Sequence, residues 1–91
     1  MNIFKKIKIA RFLMRVMTLQ SQAPEGTSYN FEYSGNTNEV DFVKFLKVNG
    51  KYITNKRFHC YLEEDYGLTF KEFEKQIAIE EEVCKNVKFF Y

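Results

Sequence analysis

His59, Cys60 and Cys84 carry most of the latent chemistry of this sequence. A nucleophilic dyad would use a cysteine to attack and His59 as its base. His59 and Cys60 are adjacent, and on a helix adjacent side chains diverge by about 100°, so they do not pair there. Cys84 could meet His59 only through the tertiary fold. A structural zinc site wants four Cys or His ligands, and this chain holds three in total. No ligand spacing suggests that carboxylates complete the set. The glycine-rich phosphate loop, the GxSxG elbow and the HExxH pair are missing too. The expectation is therefore no catalytic set, no metal and no cofactor, in a protein that is not an enzyme.

Acids come in two short runs, Glu63-Glu64-Asp65 and Glu80-Glu81-Glu82. Consecutive residues on a helix point in different directions, so neither run implies a convergent pair for hydrolysis. They read first as a solvated face. A second reading makes them an acidic face for a cationic partner, including a mimic of DNA.

The net charge of +2 hides strong segregation. Residues 1–19 carry five cations and no acid, residues 20–43 four acids and no cation, and residues 44–57 five cations and no acid. Residues 58–82 hold eight acids against Lys71 and Lys75. Basic elements that fold against acidic ones explain such blocks. So does a basic face turned to an anion.

The cations with the best claim to an anion are Lys8, Arg11 and Arg15 on a first helix, and Lys47, Lys51, Lys56 and Arg57 further on. If residues 39–48 and 55–66 are helices, they make a helix-turn-helix. Asn55, Lys56, Arg57 and His59 then stand at the start of the reading helix, where base edges are met. Lys44, Lys47 and Lys51 would contact phosphate. Glu63-Glu64-Asp65 at the end of that helix argue against it, since a phosphate backbone repels them. The connecting turn of about six residues is also longer than the usual three to four.

These side chains have to be positioned by elements. From Ile3 to Leu19 the chain holds good helix formers and no breaker. At about 100° per residue, Ile3, Ile7, Ala10, Met14 and Met17 share one face, while Ile9, Phe12 and Val16 form a second apolar strip. A helix apolar on two sides suits burial between two elements better than a membrane surface, which calls for a broad polar face. Gln20 to Gly26 reads as a connector holding the only proline. TSYNFEYS alternates Tyr29, Phe31 and Tyr33 with polar neighbours, the mark of a half-buried strand, and GNTN follows as a turn.

Residues 38–54 read two ways. Asn38 caps a helix from Glu39 to Val48 that Gly50 stops, or Asn49-Gly50 is a type I′ turn joining FLKV to KYIT in a hairpin. Phe42, Val43 and Leu46 share a helical face and Lys44 breaks strict alternation, so the helix is preferred. A further helix runs from Thr54 or Asn55 to about Tyr66, with Gly67 as its left-handed stop. Thr69 and Glu72 stand three apart as a capping box, with Leu68 and Phe73 at the staple positions. Phe70, Phe73, Ile77 and Cys84 would share one face of the helix that follows. VKFFY ends the chain as helix or strand.

Length and composition bound the whole. Ninety-one residues, 45% hydrophobic and 29% charged, make one domain near the lower end of self-sufficient cores. Ten Phe and six Tyr argue against disorder. Two cysteines are too few for a secreted disulfide framework, so the expected compartment is reducing and intracellular, the cytoplasm first. No apolar run approaches the roughly 18 residues a membrane span needs. The expected fold is α+β over residues 1–91: a basic N-terminal helix, a small antiparallel sheet and two to three short helices, with a mainly helical bundle as the alternative. The expected function is binding through protein–protein contacts, as an accessory subunit or an inhibitor of a larger enzyme. Nucleic-acid binding through the basic helices and DNA mimicry through the acids are the alternatives.

Overall fold

The computed structural model describes residues 3–36, 38–61 and 69–88. Along the chain these form helix α1 (Ile3–Gln22), strands β1 (Thr27–Ser34), β2 (Glu39–Val48) and β3 (Lys51–Tyr61), and helix α2 (Phe70–Lys88). The strands pair antiparallel in the order β1-β2-β3. The fold is α+β, but among the described residues the N-terminal helix is joined by one further helix of 19 residues, not by the two to three short ones expected.

The preferred helix over residues 39–48 is overturned: this stretch is β2. Two turns decide it. Asn38 has φ 49°, outside the extended conformation that an N-cap adopts, and it belongs to the turn before β2 instead. Asn49 and Gly50 have φ 52° and 79°, the two left-handed residues that a type I′ hairpin turn demands. The helix expected from residue 55 is likewise replaced by β3 as far as Tyr61. Residues 62–68, with Gly67 and Leu68, lie outside the described residues. With residues 39–48 and 51–61 forming a hairpin, the described residues of the expected helix-turn-helix contain neither of its helices.

One extra residue sets the faces of that hairpin. From the turn outward Val48 pairs with Lys51 and Phe45 with Thr54, then Lys44 pairs with Lys56, so Asn55 is left over as a bulge. A one-residue shift exchanges the two faces of a strand. Beyond the bulge, Phe58 and Cys60 therefore stand beside Phe42 and Val40 on the inner face, and His59 stands beside Asp41 on the outer one.

Both helices pack on the inner face. Phe12, Val16 and Leu19 of α1 meet Tyr29, Val40, Phe42 and Cys60 of the sheet and Phe73, Ile77 and Cys84 of α2. Phe42 lies near the centre of this cluster, stacked between Tyr29 and Phe58 with ring centroids 6.0 and 6.2 Å away. The capping box of α2 forms as expected: the Glu72 amide donates to Thr69 Oγ1 at 3.2 Å and the Thr69 amide to Glu72 Oε2 at 3.1 Å. The helix continues to Lys88, past the point where the sequence pattern stops discriminating, and the last three residues lie outside the described ones. No helix among the described residues is long and apolar enough to cross a membrane.

Candidate functional site

Glu80 is the one charged residue with a fully buried position among the described residues, at 1% exposure. The 73, 77, 80, 84 spacing places it on the apolar face of α2, between Ile77 and Cys84. Lys44 Nζ lies 2.7 Å from its Oε1, Tyr29 donates its hydroxyl to the same oxygen at 3.0 Å, and Lys56 Nζ stands 3.5 Å from Oε2. Burial pushes the Glu80 carboxyl up, but the Lys44 and Tyr29 hydrogen bonds and the two ammonium charges outweigh it, so it ionises below the ordinary range. Burial, with the Cys84 and Glu80 contacts, raises the Tyr29 phenol. Among the described residues no buried side-chain nitrogen or oxygen lacks a partner. The network is a satisfied strut between sheet and helix, with Glu80 turned inward, away from any acidic partner face.

The other predicted residues scatter. Arg15 grips Glu81 with two hydrogen bonds, Nε at 3.2 Å and Nη2 at 2.5 Å, and reaches Glu74 at 3.2 Å. Those bonds and charges raise the guanidinium pKa against the effect of burial. Lys8 Nζ sits over the Phe70 ring, 5.4 Å from its centroid, and Arg11 is exposed. Lys47 lies over Tyr52 near the hairpin tip, 5.9 Å from the ring centroid, and Lys51 is exposed beside it. Arg57 Nη1 stands 3.5 Å from Asp41 Oδ2. Glu82 is exposed, and Glu63, Glu64 and Asp65 lie outside the described residues. Arg15, Lys44, Lys56 and Arg57 thus meet the chain's own acids.

On the outer sheet face, Glu39, Asp41 and His59 come together. His59 Nδ1 is 2.5 Å from both Glu39 Oε1 and Asp41 Oδ1. Burial and the Glu39 contact raise the Asp41 carboxyl more than His59 lowers it. Burial lowers His59, and its two carboxylate neighbours outweigh that and raise it. Sequence reasoning missed this trio because the helical reading of both segments set Asp41 and His59 on separate helices.

Among the described residues, helix α1 carries a long exposed apolar strip. Its two apolar strips meet different fates, and the expected burial between two elements is corrected. Phe12 and Val16 are each 2% exposed, whereas Ile3, Met14 and Met17 are 66, 68 and 63% exposed and Ile7 is 44% exposed. The sheet and α2 both lie against one side of the helix, and only one strip joins the core cluster. Ile3, Ile7, Ala10, Met14 and Met17 follow alternating steps of four and three, the 3.5-residue period of a coiled-coil seam. Exposed Lys6 flanks the strip on one edge and exposed Arg11 on the other.

Protein-family models, curated proteins and solved structures were compared with the chain, and none of the three comparisons returned a match.

Proposed function

We propose that the chain is a non-enzymatic binding protein whose α1 receives an amphipathic helix of a partner protein, apolar along one face and acidic at its edges. The observation that carries this reading is the exposed strip Ile3, Ile7, Ala10, Met14 and Met17. A scattered exposed apolar residue is ordinary, but a contiguous strip on a packed helix marks an interaction surface. Its 3.5-residue period matches a helical partner, which places its own knobs between these side chains. From Ile3 to Met17 the strip runs about 21 Å, or two heptads.

Charge selects the partner's chemistry. Residues 3–22 of α1 contain five cations and no acid. A second copy laid on the strip would bring Lys6 and Arg11 against cations again, in either direction. Glutamates at the flanking positions of a foreign helix would instead pair with them. An accessory subunit and an inhibitor both act through such a contact.

The experiment is calorimetric titration of the full chain with two synthetic three-heptad helices. Both have leucine at the core positions, and the flanking positions are glutamate in one and lysine in the other. The glutamate helix is expected to bind one to one and the lysine helix not at all. Equal binding of both, or of neither, overturns the reading. So does a dimer in sedimentation that disappears on Ile7→Glu substitution. Capture by anionic vesicles or by nucleic acid at about 50 mM salt, without peptide binding, assigns the cations to phosphate and overturns it as well.

A further inference from the structure

We infer that Glu39, Asp41 and His59 form a binding site for one divalent first-row transition ion, zinc in the first instance, on the sheet face opposite the helices. Each residue offers one ligand atom, and the three atoms lie within 4.8 Å of one another. They are held by rigid neighbours. Glu39 and Asp41 stand two apart on β2 and so share a face, and Asp41 is the register partner of His59 on β3.

The three ligand atoms converge on one point of the outer sheet face. Nδ1 of an imidazole carries at most one hydrogen. Yet two carboxylate oxygens lie 2.5 Å from it, one from Glu39 and one from Asp41. A cation at the common point serves all three donors, and its double charge matches the two carboxylates. Bonds of about 2.0–2.2 Å set ligand atoms about 3.4 Å apart around a tetrahedral ion, so the three side chains open by less than an ångström or so. The His59 side chain, 44% exposed, has room to do so.

The donor set narrows the ion. One imidazole nitrogen and two carboxylate oxygens suit zinc, manganese, iron or cobalt in the divalent state, whereas all-oxygen sets suit calcium and magnesium. Soft thiolate ligation is remote, because Cys60 and Cys84 are buried on the inner face. Arg57, 3.5 Å from the second Asp41 oxygen, is placed to orient that carboxylate. Three protein ligands leave at least one position for water or for a group of a partner. The site lies across the sheet from the α1 strip and stands or falls independently of the docking proposed there.

The test is titration of the full chain with zinc by calorimetry and with cobalt by visible absorption. Expected are one ion per chain, cobalt d–d bands without thiolate charge transfer, and a downfield or upfield shift of the ring nitrogens of the sole histidine. His59→Ala and Asp41→Asn should each weaken binding about tenfold or more, with unchanged far-UV dichroism, while Glu82→Gln on α2 changes it little. Absence of saturable binding overturns the inference, as does binding that survives both substitutions or that reports a thiolate.

Discussion

Lys44 and Glu80 meet at 2.7 Å in the interior, joining the central strand to the second helix across 36 positions of sequence. Neither belongs to a hydrophobic pattern. Each occupies a position that its element turns toward the core, and each is the reason the other is tolerated there.

Removing one partner strands the other. Lys44→Met should lower unfolding stability by about 3–5 kcal/mol, read by urea denaturation. Lys56, more exposed and further from Glu80, should matter less, with Lys56→Met costing about 1 kcal/mol. The double variant Lys44→Met/Glu80→Leu should recover much of the loss, because it leaves no unpaired buried charge.

Acid should undo the same strut. The Glu80 carboxyl ionises below its ordinary value when folded, so its ionised form adds stability above an unfolded pKa of about 4.3. That contribution is lost as pH falls through the lower folded value. Denaturant midpoints measured from pH 6 down to about pH 3 should drop more steeply in the native chain than in Glu80→Gln, which starts lower and has no such group to protonate.

The Asn55 bulge should be indispensable as a residue and indifferent as a side chain. Deleting Asn55 moves Phe58 and Cys60 to the outer face and His59 to the inner one, exchanging core for solvent. The deletion variant should lose cooperative unfolding and dispersed amide resonances. Asn55→Ala keeps the count and should stay within about 1 kcal/mol of the native stability.

The two strips of α1 should respond oppositely to truncation. Phe12→Ala opens a cavity in the ring cluster and should cost about 3–5 kcal/mol in thermal or urea unfolding. Met14→Ala touches a side chain 68% exposed and should fall within about 0.5 kcal/mol of native.

Local signals were legible in the sequence, and tertiary ones were not. Thr69 and Glu72 satisfy each other within one helical turn, so their spacing alone announced the cap. Tyr29, Phe31 and Tyr33 alternate because β1 has one covered face. The middle of the chain misled for a nameable reason. Lys44 breaks the alternation of β2, which favoured a helix, and it does so because it points inward to Glu80. The Asn49-Gly50 turn was legible as an alternative, but the bulge at Asn55 leaves no local signature. Without it the plain hairpin register sets His59 opposite Val40, and the Glu39–Asp41–His59 convergence stays hidden. On α1 both apolar strips could be read from periodicity. Which of them the rest of the chain would cover depended on the sheet and α2 lying on a single side.

The most direct measurement for the docking proposed on α1 is a proton–nitrogen correlation titration of the full chain with the glutamate-flanked helix. The expected shifts concentrate at Ile3, Ile7, Ala10, Met14 and Met17, with Lys6 and Arg11 at the edges, and vanish in Ile7→Glu/Met14→Glu. Shifts centred instead on Tyr52 and Ile53 at the hairpin tip, or around His59 on the outer sheet face, would contradict it.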